Sequence, residues 1–271
     1  RVVVHHRELG RDRLRVAHPH AAADAQLSRG VRAHLHPVLR RDRDRLAQLV
    51  ARRPSGETVV WPLVQTVQRD SICAEVLAPA PGLDPDLAAR LSEAGLRIAG
   101  ELGVTGVLAV ELFAFAAEQD AGSIFASASG APGMCAHEDI SVNELAMRPH
   151  NSGHWSMDGA VTGQFEQHVR AVLDLPLGET TPRGAGVVMK NVLGGAREDL
   201  HAGSVAALAA HPQAKVHLYG KDVRPGRKVG HVNVVADHGL SLEEAVRIAE
   251  SAAALLREDA PTTGTETEAR P

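Results

Sequence analysis

From about residue 46 the sequence is a succession of short β-rich runs and isolated amphipathic stretches, each cut off by Gly, Pro or Asp. That punctuation limits the fold more than any other feature, because neither a long helix nor an uninterrupted sheet strand can pass through it. Residues 58–68 and 71–78 read as strands around Arg69-Asp70, a hairpin in which Pro62 marks an edge or a bulge. Asp84-Pro85-Asp86 is an N-cap with Pro at the first helical position, and it opens a helix that Gly103 stops. Leu87, Leu91, Ala94, Ile98 and Leu102 make its predicted inward face. Strands are predicted over 104–113, 139–145, 186–193, 214–219 and 229–236. A helix over 162–174 should turn Phe165, Val169, Val172 and Leu173 inward, and an Ala-rich helix should cover 203–210. The last helix opens with Ser241, and Glu244 three residues on completes a capping box; Ala245, Ala249, Ala252 and Leu256 form its apolar face.

Composition narrows the function classes. The chain has 271 residues, with 29 Lys+Arg against 33 Asp+Glu and a net charge of -4, so no global basic field exists to hold nucleic acid or a membrane surface. Aromatic residues make up 3%, too few for base-stacking platforms. No apolar run has the ~20 residues of a membrane span. Cys73 and Cys135 fit structural thiols in a reducing cytoplasm. The first 45 residues stand apart. They hold 11 Arg and 6 of the 15 His without any clean period, and read as an aberrant leader that does not fold natively. Residues 116–137 read as a small, polar insertion without pattern, and 259–271 as a disordered Thr/Glu/Pro-rich tail.

Three clusters could carry chemistry. Glu111 and Glu144 end strands that otherwise read as buried, where an ionised carboxylate needs a partner or a cation. Two such groups suit Mg²⁺, with Asn143 as a further oxygen; the alternative is that each points outward or pairs with Arg. The loop from Arg148 to His154 gathers a guanidinium, two imidazoles, an amide and a hydroxyl with no counter-charge, a set that can bind a small planar anion or else satisfy itself. Lys221, Arg224, Arg227 and Lys228 crowd the turn around Pro225-Gly226 ahead of His231. A phosphate would relieve their repulsion, although a solvated turn would also accommodate it. Gly194-Gly195 lacks the rest of a dinucleotide fingerprint, and nothing around Ser152 resembles a nucleophile elbow.

Four stretches occur in a family's order: Trp61-Pro62, Gly106-Val-Leu-Ala-Val-Glu-Leu-Phe113, Val142 through Trp155 with Gln164-Phe-Glu-Gln-His168 and Leu175-Pro-Leu-Gly178, and Tyr219-Gly-Lys-Asp-Val-Arg-Pro-Gly-Arg-Lys-Val-Gly-His231. Together, over residues 46–257, they closely resemble the N5-carboxyaminoimidazole ribonucleotide synthases, ATP-grasp ligases of purine biosynthesis. The resemblance implies an α/β (α+β) fold with a mostly antiparallel sheet. A partial ATP-grasp domain is expected over 46–178 and a small C-terminal α/β domain over 179–258, with the N-terminal domain and first ATP-grasp lobe absent. It implies carboxylation of 5-aminoimidazole ribonucleotide by bicarbonate and ATP, in a cytoplasmic homodimer. By motif, Glu111 and Glu144 take the Mg²⁺ positions, Asn143 and Glu144 contact ATP, and Arg148, His150 and Asn151 take the bicarbonate and carboxyphosphate positions. Lys221, Arg224, Arg227 and Lys228 hold the ribotide phosphate. Arg45 stands where the family has an acid, as though the reading frame changed just upstream. Without the first lobe, the chain is expected to show no ribotide-stimulated ATP hydrolysis. The alternatives are a non-catalytic ribotide-binding or oligomerising fragment, and another ATP-grasp carboxylase acting on a different amine.

Overall fold

In this computed structural model residues 44–69, 72–115 and 139–257 are described, and the first element among them is β1 (Asp44–Arg52). The chain divides into two units: one takes residues up to 65, 80–153 and 164–180, the other 66–79, 154–163 and 181 onward. The expected leader up to 43, the insertion and the tail lie outside the described residues, as does Cys135, while Asp44 and Arg45 already belong to β1.

In the first unit β1 is central. It runs antiparallel to β5 (Gly106–Phe115) along its whole length, from Asp44 opposite Ala114 to Arg52 opposite Gly106. On its other side lie β2 (Thr58–Val60) and the start of β3 (Val64–Arg69), and β6 (Asp139–Ala146) closes the far edge beyond β5. The run predicted over 58–68 is thus two strands, broken at Trp61-Pro62-Leu63 where Pro cannot donate to a ladder. Alternation then sorts the side chains. Leu46, Gln48 and Val50, with their β5 partners Leu112, Val110 and Leu108, face one way, and α1 (Pro85–Glu101) covers them. Gly95 in α1 lies so close to Gln48 and Val50 that a methyl there would touch both. Asp84 caps α1 by accepting the Leu87 N–H at 2.9 Å. Leu87 of the expected face is buried and Leu91 and Ile98 pack on the core, joined by the buried Gly95 and Ala99, whereas Leu102 is exposed because the helix has ended at Glu101.

Ala47, Leu49, Ala109 and Glu111 point to the opposite face, which meets α3 (Gln164–Val172) and a 3₁₀ turn at Asn151–Gly153. Here the predicted orientation of α3 is reversed. Phe165, Val169, Val172 and Leu173 are exposed, while Gln164, Gln167 and Ala171 are buried. The reason is hydrogen bonding. Gln164 exchanges two bonds with the His150 backbone, Gln167 exchanges two with the Gly178 backbone, and His168 Nδ1 accepts from the Val107 N–H. A period of 3.6 defines two faces, and here the polar one has the partners.

The second unit is an antiparallel sheet in the order β4 (Ile72–Ala78), β7 (Gly186–Leu193), β9 (Lys228–Ala236), β8 (Lys215–Leu218). β7 is buried almost throughout. Val188, Val192, Val232 and Val234 pack under α4 (Leu200–Ala210) and α5 (Leu242–Arg257), whose Ala245, Ala249, Ala252 and Leu256 form the expected face. The capping box is present, with Ser241 N–H donating to Glu244 Oε2 at 3.0 Å and Glu244 N–H to Ser241 Oγ at 3.2 Å. A short helix, α2 (Ser156–Gly159), packs on β9. Among the described residues no helix is long and apolar enough to cross a membrane.

The reversed helix gives a direct expectation. Gln167→Leu should cost about 1–3 kcal/mol, since it strips the Gly178 N–H and C=O of their partners although it adds apolar surface. Urea unfolding measures it; an unchanged or raised midpoint would refute the assignment.

Candidate functional site

Strand pairing brings the two predicted carboxylates together. Glu111 on β5 is the register partner of Glu144 on β6, so both side chains leave the sheet on the same face. The register shifts between Glu111 and Leu112, which makes Asn143 the extra residue of a bulge. Its Nδ2 donates to Glu111 Oε2 at 3.0 Å. Glu111 is half-buried and Glu144 exposed. Two carboxylates and an amide on one rim fit a divalent ion that completes its shell with phosphate oxygens and water; among the described residues no group of three or more His, Cys, Asp or Glu could form a self-sufficient metal site.

The hook follows directly on β6. Arg148 is exposed, with Nη1 donating to the Pro149 carbonyl. His150 is held by its backbone through Gln164, which is fully buried, and by its ring through Ser152. The Ser152 N–H donates to His150 Nδ1 at 3.3 Å and Ser152 Oγ lies 2.9 Å from the same atom, so the neutral ring carries its proton on Nε2. Nε2 faces Glu111 Oε1 at 3.6 Å. Ser152 is 2% exposed and orients the imidazole. Asn151 begins the 3₁₀ turn. The turn needs Gly153, because a Cβ there would overlap Leu49 and Gln164 Oε1. Hence Glu111, Asn143, Glu144 and the Arg148–Asn151 hook share one unit, the first.

The basic turn belongs to the second unit. Arg227 N–H donates to the Arg224 carbonyl at 3.0 Å across Gly226, whose φ of +73° is the left-handed conformation such a turn requires. Asp222 Oδ2 lies 3.8 Å from both Arg224 and Arg227, so part of the expected repulsion is relieved internally. Lys221 and Arg224 are exposed, Arg227 and Lys228 half-buried. Gly194 supports the turn from β7: its N–H donates to the Arg227 carbonyl at 2.8 Å, and a Cβ would overlap the Arg224 carbonyl. That close approach is what Gly194 serves, while a Cβ on Gly195 would meet the Arg257 carbonyl.

Sequence reasoning missed a buried imidazole stack in the same unit. His231 lies between His217 and His154, with ring centroids 4.6 Å and 5.0 Å away, and its Nδ1 is 2.8 Å from the Tyr219 hydroxyl. His217 Nε2 and Asn233 Nδ2 reach Asp158 Oδ2 at 2.7 Å and 2.6 Å. Burial opposes the charge on Asp158, but the bonds from His217 and Asn233 outweigh it and hold its carboxyl below the ordinary range. His231 is lowered to about 3 by burial and by the neighbouring imidazoles. Burial raises Tyr219 to about 12. His154, His217 and His231 lie far apart along the chain, and only the β8–β9 register, His217 opposite His231, reveals the stack.

The sequence matches the ATP-grasp domain family over residues 43–165 and the phosphoribosylaminoimidazole carboxylase C-terminal domain family over 187–245. The fold and the two matches place the chain among the ATP-grasp proteins. The N5-carboxyaminoimidazole ribonucleotide synthase of Corynebacterium ammoniagenes is 55% identical over 205 residues, covering 74% of this chain and 45% of that protein. The crystal structure of the synthetase from Thermus thermophilus matches with a TM-score of 0.60 and 34% identity, over 84% of this chain and 54% of that one. An Aspergillus clavatus synthase, solved with ADP and 5-aminoimidazole ribonucleotide, matches with a TM-score of 0.61 and 31% identity, over 79% and 51%. The chain belongs to the N5-carboxyaminoimidazole ribonucleotide synthase family, and it spans about half the length of these relatives.

The stack makes stability acid-labile. His231 stays neutral in the folded chain down to about pH 3, whereas in the unfolded chain it takes a proton below about 6.5. The unfolded state therefore binds more protons between those values, and stability should fall with falling pH by up to about 1.4 kcal/mol per pH unit. Asp158, lowered in the fold, adds a loss in the same direction below its ordinary value. Urea midpoints from pH 7 to 4 test this: His231→Gln should flatten the slope, and an equal slope would refute it.

Proposed function

We propose that the chain contributes to ATP-dependent carboxylation of 5-aminoimidazole ribonucleotide by bicarbonate, giving N5-carboxyaminoimidazole ribonucleotide, in the cytoplasm. The observation that carries the reading is the same-face pairing of Glu111 with Glu144 beside the ordered hook of Arg148, His150 and Asn151. Glu111, Glu144 and Asn143 would hold Mg²⁺ and the ATP phosphates; the ion supplies charge neutralisation on the transferring phosphoryl group. A bicarbonate oxygen takes the γ-phosphoryl group from ATP, releasing ADP and forming carboxyphosphate. The Arg148 guanidinium matches a planar anion through paired N–H groups, and His150 offers a proton-bearing Nε2 in the tautomer that Ser152 imposes. The ribotide amine then bonds to the carboxyl carbon as phosphate leaves and the nitrogen loses a proton. Lys221, Arg227 and Lys228, with Arg224, would hold the ribotide by its phosphate, and the exposure of Lys221 and Arg224 leaves their charge available.

Calorimetric titration of the chain with 5-aminoimidazole ribonucleotide tests the phosphate turn. Saturable, salt-sensitive binding should weaken about tenfold or more in Lys221→Met/Arg227→Met, since each charge-assisted bond contributes ~1.5–3 kcal/mol. Unchanged affinity would overturn the assignment.

A homodimer is part of the same reading, supported by the apolar face of α3 that the first unit leaves exposed: Phe165, Val169 and Val172, with Leu173 beyond it. In sedimentation velocity the parent should run as a dimer and Val169→Lys as a monomer. A monomeric parent, or a variant that remains dimeric, would refute it.

A further inference from the structure

Tyr219 stands between a buried frame and an exposed ammonium, all within the second unit. Its N–H donates to the Val229 carbonyl at 2.9 Å, and its hydroxyl lies 2.8 Å from Nδ1 of His231, which is 1% exposed. His231 is clamped on both faces, by His217 at an interplanar angle of 16° and by His154 at 23°. The outer rings are fixed in turn. His217 is bonded to Asp158, Asn233 ties Asp158 to the His154 carbonyl, and the His154 ring meets the Tyr219 ring edge-on at 5.9 Å. Directly after Tyr219 comes Gly220 in the left-handed conformation, with φ +63°. Lys221 follows, with Nζ over the Tyr219 ring, 5.1 Å from its centroid.

A lysine is a point charge on a flexible four-carbon stem, and a free stem would spread that charge over many positions. An aromatic face attracts the ammonium and narrows the spread. The ring itself is useful as a seat only if it does not swing, and the bond to His231 prevents that. Resting on the assignment of Lys221 to the ribotide phosphate, we propose that Tyr219 is a positioning residue: its ring seats the Lys221 ammonium at the phosphate, and His231 fixes the ring through the hydroxyl.

The test is calorimetry of the full chain with 5-aminoimidazole ribonucleotide, with circular dichroism and urea midpoints as folding controls. Tyr219→Leu should weaken the ribotide Kd about three- to fivefold, the scale of one exposed cation–aromatic contact. In a Lys221→Met background the Leu substitution should change nothing, because there is no ammonium left to seat. If Tyr219→Leu does not fold, Tyr219→Phe decides: the untethered ring should weaken binding about twofold in the parent and not in Lys221→Met. Unchanged affinity on loss of the ring, or an equal loss in both backgrounds, overturns the proposal. A Lys221→Met chain that binds as the parent does, or a parent that binds no ribotide, defeats the phosphate assignment itself. Loss in Lys221→Met with none in Tyr219→Leu defeats only the role of Tyr219.

Discussion

The β1–β5 ladder is the constraint on which the first unit depends. Both strands are buried, so each backbone N–H and C=O must find its partner within the sheet. The nine-residue register from Asp44–Ala114 to Arg52–Gly106 meets that demand. Once it is set, alternation leaves no freedom: Leu108, Val110 and Leu112 go under α1, and Glu111 must go to the other face. A one-residue slip would bury the carboxylate beneath α1 and move the leucines to the face that carries the acid. The hydrophobic core therefore fixes the direction of the acid, and β6, pairing from the other side, adds Glu144 to the same rim.

Buried polar groups do comparable work around the hook. Gln164 is fully buried, yet it exchanges two hydrogen bonds with the backbone of His150, as Gln167 does with Gly178. Such a group is tolerated because both its oxygen and its nitrogen are hydrogen-bonded, and it fixes a loop more narrowly than apolar packing would. The apolar side of α3 is exposed as a consequence. In the second unit the corresponding device is the stack of His154, His231 and His217, where the outer rings pack face to face on the buried His231 and Asp158 and Asn233 hold the outer residues. Glycines at 153 and 194 mark where backbone must approach side chain or carbonyl too closely for any Cβ.

Much of this was legible in the residues. Asp84-Pro85, Gly103, the Ser241–Glu244 box and the β-rich runs located the elements, because capping and turn chemistry are local. The carboxylates, the hook and the basic turn were legible as concentrations of one chemistry. What the spacing could not convey was the inward side of α3, the purpose of Gly194-Gly195, or the role of Tyr219.

The sequence by itself determined the elements, their ends, the family and the kinds of group available to bind an anion or a cation, since all of these are written in nearest neighbours and short motifs. Only the tertiary structure decided which of two helix faces turns inward and which distant residues meet. An amphipathic period is symmetric between its faces until a partner exists. Pairing Glu111 with Glu144, or stacking His217 on His231, depends on strand register, which is set by the core as a whole and by no single stretch of chain.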